Sequence, residues 1–114
     1  MPIFTLDQIK TLSPDTKSIT AAKKLSTPRS WIKVAQDGNI LWATVSGSSD
    51  IYYLYADTTN VKDARCCCPS GKHPCKHILA MLMLESGGHP FPAEAMPRDH
   101  KRDAEDKRYS SGWE

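Results

Sequence analysis

Apolar and turn-forming positions divide the chain into segments of different period. From Trp31 onward, short runs rich in β-branched and aromatic residues alternate with turn signals. Trp31-Ile32-Lys33-Val34-Ala35 leads into Asp37-Gly38-Asn39, and Ile40-Leu41-Trp42-Ala43-Thr44-Val45 returns to Ser46-Gly47-Ser48-Ser49-Asp50. Ile51-Tyr52-Tyr53-Leu54-Tyr55 then runs to Asp57-Thr58-Thr59-Asn60, and Val61 to Cys66 follows as a fourth run. This pattern predicts a small antiparallel meander of three to four strands. On either side the pattern is helical. Ser13-Pro14-Asp15 reads as a helix start, with Ser13 as N-cap and Pro14 at the first helical position. That helix is expected to reach about Leu25, with Ile19, Ala22 and Leu25 or Ser26 on one face, and to end before Thr27-Pro28. After the strands, Ile78-Leu79-Ala80-Met81-Leu82-Met83-Leu84 is an apolar run of good helix formers with no Gly or Pro until Gly87, which predicts a buried helix. Ile3, Phe4, Leu6, Ile9 and Leu12 fit either a short amphipathic turn or an edge strand.

The expectation is an α+β fold in three parts. Residues 1–30 form an N-terminal helical segment, 31–86 hold the meander and the following helix, and 87–114 are a linker and a charged tail. Gly87-Gly88-His89-Pro90-Phe91-Pro92 is rich in residues that interrupt regular structure. The tail from Arg98 to Arg108 mixes both charge signs. Lys101 with Glu105 and Asp103 with Lys107 stand four apart, which allows a helix, but the segment has no apolar face of its own, so a solvated or disordered segment is the expectation. Trp113 is a lone aromatic there, able to dock on the domain or on a partner.

One stretch between the strands and the buried helix carries the chemistry. Arg65-Cys66-Cys67-Cys68-Pro69-Ser70-Gly71-Lys72-His73-Pro74-Cys75-Lys76-His77 holds all four cysteines and two of the four histidines. In extended chain Cys66 and Cys68 present their sulfurs on one side while Cys67 points away. Pro69, Gly71 and Pro74 suit a tight reversal that returns Cys75 and His77 to the same place. The pattern C-x-C-x6-C-x-H therefore reads as a closed Zn2+ site with ligands Cys66, Cys68, Cys75 and His77, with Cys67 and His73 as the alternatives for a ligand position. Three sulfurs and an imidazole leave no open position for substrate water, which is the structural arrangement. Vicinal disulfides have unfavourable geometry, and a secreted disulfide framework spreads its cysteines more widely.

The run C-x-C-P-S, a short loop, P-C-K-H and a leucine-rich helix resembles the SWIM zinc finger, in particular its bacterial form. Leu12-Ser13-Pro14-Asp15, Trp31, Gly38 with Leu41-Trp42, Gly47-Ser48 and Tyr53 extend the likeness over roughly residues 12 to 84. Cys67, between the first ligand pair, departs from that pattern. The resemblance implies ligand roles for Cys66, Cys68, Cys75 and His77, and binding of DNA or of protein partners.

Charge bears on the partner. Residues 1–30 hold five basic and two acidic groups, 31–64 two and four, and 85–114 five and seven, whereas residues 65–84 hold Arg65, Lys72 and Lys76 without an acid. A zinc ion with three thiolates adds a single negative charge, so the knuckle keeps a local positive excess. With no paired-carboxylate motif, G-x-S-x-G or phosphate-binding glycine loop, an enzyme is not expected. The leading reading is a zinc-stabilised module that binds nucleic acid, DNA ahead of RNA. Its contacts would be Arg65, Lys72, His73 and Lys76, extended by Lys23, Lys24 and Arg29. The competing reading is a protein-interaction adaptor or small subunit using an exposed sheet face and the Trp113 tail. Trp31 and Trp42 are expected in the core or in cross-strand packing. Tyr53 and Tyr55 share one face and Tyr52 takes the other, so alternation argues against a base-stacking platform and leaves a binding role for Tyr52 only as the alternative. No apolar run approaches the ~20 residues of a membrane span and no cleavable leader is visible, so the chain reads as cytoplasmic, without a membrane or small-molecule partner.

Overall fold

A computed structural model describes residues 3–47, 50–68 and 73–106. Among these, the strands are β1 (Trp31–Asp37), β2 (Ile40–Ser46), β3 (Ile51–Asp57) and the two-residue β4 (Arg65–Cys66). They form one antiparallel sheet in the order β1-β2-β3-β4. Gly38 (φ 59°) opens the two-residue turn between β1 and β2, a left-handed backbone that suits glycine. The expected fourth strand is shorter than its sequence run, because Val61–Asp63 winds into a 3-10 turn before Arg65.

Register gives the sheet two distinct faces. Opposed residues share a face, so Leu41, Ala43, Val45, Tyr52, Leu54, Ala56 and Cys66 lie on one side, and Lys33, Ala35, Trp42, Thr44, Tyr53, Tyr55 and Arg65 on the other. The first face packs on helix α3 (Lys76–Ser86), as the apolar run after His77 predicts. Residues His77 to Leu84 of α3 are all buried, on every side of the helix. This requires cover on its outer side, which helices α1 (Leu6–Leu12) and α2 (Thr16–Leu25) supply.

Both outer helices start from polar caps. Thr5 and Gln8 form a reciprocal capping box on α1, which decides for helix the segment whose apolar spacing fitted a turn or a strand. α2 begins later than the Ser13-Pro14 signal suggests: the Asp15 carboxylate accepts from Ser18 N at 2.7 Å, so Asp15 is the N-cap and Ser13 closes α1 instead.

The second face is covered by the chain's own C-terminal arm. Gln36 N donates to Pro92 O (2.9 Å), Glu94 N to Gln36 O (3.0 Å), and the Trp42 indole to Glu94 O (2.9 Å), tying residues 92–94 along β1. Helix α4 (Arg98–Glu105) then crosses the sheet with His100 and Ala104 buried. His100 stands edge-on to Trp42 (ring centroids 4.8 Å) and Tyr53 (5.5 Å), and its Nε2–H donates to Leu54 O at 3.0 Å. The protein-interaction reading invoked this face as exposed; it is occupied. Trp113 lies outside the described residues.

Two expectations follow from this packing. A methyl group at Gly47 would collide with the Tyr52 ring and meet Asp50 O at 2.9 Å, so Gly47→Ala should lower stability by about 1–3 kcal/mol in urea unfolding. Burial holds the His100 imidazole below its ordinary value, against smaller upward pulls from its bond to Leu54 O and from Asp103. A histidine depressed in the folded state binds its proton more readily when unfolded. Its stabilisation is therefore complete above about pH 6.5 and is lost as pH falls from there through the folded value. Unfolding at stepped pH should show a weaker acid-side loss for His100→Gln, which keeps a donor for Leu54 O without a titrating ring.

Candidate metal centre

The donors are brought together by two short elements meeting under the first sheet face. β4 pairs with β3 through Leu54 opposite Cys66, so Cys66 enters on the buried side and Arg65 on the other. Two residues on, Cys68 returns to the Cys66 side. Cys67 is held by β3: its N–H donates to Tyr53 O (3.2 Å) and its sulfur accepts from Tyr53 N (3.4 Å). From the other direction, Cys75 is the N-cap of α3, and its carbonyl accepts the helical bond from Leu79 N at 3.1 Å. His77 falls in the first turn, where its ring packs at 5.0 Å from that of Tyr52.

The sulfurs of Cys66, Cys68 and Cys75 and a ring nitrogen of His77 all lie within 4.8 Å of one another, and all four residues are buried. His77 presents Nδ1 to the group, 3.9 Å from Cys66 Sγ and 4.0 Å from Cys75 Sγ. A tetrahedral zinc ion with Zn–S near 2.3 Å and Zn–N near 2.0 Å sets its ligand atoms about 3.5–3.8 Å apart. The spacing and the soft Cys3His donor set thus fit Zn2+. All four cysteines are free of disulfides. Cys67 is as deeply buried as its neighbours but falls outside the cluster, a small side chain packed in the core.

Electrostatics explain why such a cluster wants a cation. Hydrogen bonding with Cys68 and then with Cys75, together with burial, pushes the Cys66 thiol well above its ordinary value. A bond from Cys66 draws the Cys75 thiol down, but the bond with Cys68 and burial outweigh it and leave Cys75 at about 12. Three buried sulfurs cannot all ionise on their own. A bound divalent ion reverses that preference, and its uptake releases protons.

The basic residues expected at the knuckle and beside it come from several different elements. Lys76 is exposed on the first turn of α3. His73 is exposed with Nε2 2.9 Å from Lys62 O, and with Pro74 it lines a groove of about 540 Å³ bordered by Phe4, Leu12 and Val61. Arg65 projects from the second face, donating to Ala64 O at 2.9 Å. Lys23 and Lys24 occupy the last turn of α2 and Arg29 the turn after it, all exposed. Lys72 lies outside the described residues. Sequence reasoning missed Tyr52 as a neighbour of the metal site. Its place on the first face, opposite Val45 and two residues from Leu54, is the signal that put it there.

Removing Cys75 or His77 should abolish stoichiometric zinc in the purified protein, measured by inductively coupled plasma analysis, whereas Cys67→Ser should retain it. Zinc affinity should fall as pH falls, because protons then compete for the same sulfurs and imidazole.

Residues 45–84 match the family model of the SWIM zinc finger. No curated protein and no solved structure matches the chain. The matched segment begins in β2, includes the four clustered donors and ends in α3, so sequence likeness and donor geometry coincide. The chain carries a SWIM-type zinc finger over residues 45–84, with a Cys3His cluster that fits Zn2+.

Proposed function

We propose that Cys66, Cys68, Cys75 and His77 hold zinc as a structural ion, and that the end of the molecule this ion fixes contacts the phosphate backbone of nucleic acid, DNA ahead of RNA. The observation that carries the reading is a convergence of cations. The Trp31 indole donates to Leu25 O at 2.7 Å, pinning the end of α2 to the start of β1. Trp31 is opposite Val45, Val45 is opposite Tyr52, and Tyr52 packs on His77. With strands about 4.8 Å apart, the Trp31 and Tyr52 backbones stand roughly 10 Å from one another across β2. Lys23, Lys24 and Arg29 therefore share one end of the sheet with Lys76 and the zinc cluster. The opposite end carries Asp37 and Asp57, the last residues of β1 and β3, and Asp50 beside Tyr52 is an acid at the basic end.

Cationic groups gathered at one end suit contacts to phosphates, and such contacts position a protein without reading base sequence. Zinc supplies no reaction chemistry in this reading: four protein donors close its coordination shell, and the chain acts as a binding module rather than an enzyme. No helix among the described residues is long and apolar enough to cross a membrane. The reduced thiols suit the cytoplasm.

Fluorescence anisotropy of the zinc-loaded chain against labelled DNA and RNA, across a salt series, tests the reading. Binding should weaken steeply with salt. Lys23→Gln with Lys24→Gln and Lys76→Gln should weaken it further and flatten the logarithmic salt slope by about 0.7–0.9 for each phosphate no longer neutralised. Absence of salt-sensitive binding at low ionic strength would overturn it and point to a protein partner instead.

A further inference from the structure

The covered face of the sheet has a composition that the metal centre does not use. Trp42 and Tyr55 are register partners on β2 and β3, and Tyr53 follows on the same face. Cations flank this aromatic strip on both outer strands: Lys33 on β1, with its ammonium 5.5 Å from the Trp42 ring, and Arg65 on β4, opposite Tyr55. Aromatics in the middle of a four-stranded sheet with basic groups at its margins are what stacked bases and their backbone require.

Carboxylates of the C-terminal arm now meet those groups. Glu94 Oε2 pairs with Lys33 Nζ at 2.8 Å, and Glu105 Oε2 accepts the Tyr55 hydroxyl at 2.7 Å. That hydroxyl bond first, then Lys101, and in smaller part Arg65, hold the Glu105 carboxyl below the usual carboxylate range. α4 itself buries only His100 and Ala104 and leaves its other described side chains half-buried or exposed, while the strap before it is held by the bonds of residues 92–94 to β1 and Trp42 and by Met96 N donating to Asp37 Oδ2 at 3.0 Å. We propose that the Trp42–Tyr53–Tyr55 face with Lys33 and Arg65 is a surface for single-stranded nucleic acid, and that residues 92–105 cover it as a displaceable arm of mixed charge whose Glu94 and Glu105 carboxylates take the polar positions of that face. This surface is distinct from the basic end beside the zinc cluster and takes a different ligand form, since stacking needs unpaired bases.

The test uses the full zinc-loaded chain with Ala104→Glu and, separately, His100→Glu, each placing a charge at the buried side of α4. Hydrogen exchange reports the arm, and anisotropy with a labelled twelve-nucleotide single strand and its duplex reports binding. Exchange across 98–105 should rise while β1 to β3 stay protected, and single-strand affinity should rise at least tenfold without a matching gain for duplex. Adding Lys33→Gln and Arg65→Gln should remove the gain. In the Lys23, Lys24 and Lys76→Gln background the gain should persist; its loss there would place the effect at the basic end and overturn the assignment. A released arm with unchanged single-strand affinity would overturn the proposal, as would an arm that stays protected in both variants.

Discussion

The junction of a two-residue strand with the first turn of a buried helix is the constraint on which this fold depends. β4 contributes too few ladder hydrogen bonds to hold a sheet edge, and the segment that follows must reverse within a few residues to start α3. Shared coordination by donors from both sides of that reversal supplies what the backbone lacks. Structural zinc in finger peptides is worth roughly 10–16 kcal/mol of apparent binding energy near neutral pH, as large as the whole stability of a small domain. Because α3 is the element that α1, α2 and the sheet all bury, fixing its start fixes the middle of the molecule.

The remaining architecture follows from having a sheet with two apolar sides. One side closes on α3 with aliphatic residues and cysteine. The other is aromatic, and the chain returns over it with a strap and a polar helix rather than leaving Trp42 and Tyr55 in water. The two covers differ in character. The α3 side is sealed by a helix buried all round, whereas the other side is held by a strap hydrogen-bonded to β1 and Trp42, by two buried residues of α4, a histidine bond to Leu54 O and two carboxylate contacts. On the proposal made above, the first side is the permanent core and the second the place where the molecule opens.

The meander and the donor set were legible because both are local. Turn residues mark the hairpins, and C-x-C with C-x-H constrains four atoms through adjacent backbone. The buried helix was legible as well, since an unbroken apolar run admits few other places. What escaped depends on distant partners or on polar signals. The α1 helix rests on the Thr5–Gln8 capping box, visible in sequence but outweighed by an ambiguous apolar spacing. Asp15 displaced Ser13 as the cap because Ser13 already ends the preceding helix. The packing of α4 was hidden, for a helix that buries only a histidine and an alanine four apart shows no apolar stripe.

The central claim, that a Cys3His zinc site organises the fold, is tested most directly by removing the metal and following the backbone. Amide exchange after complete chelation under reducing conditions should show protection lost in α3 and along β3 and β4, regained when zinc is restored. A metal-free chain that keeps α3 protected and melts as cooperatively as before would contradict the account.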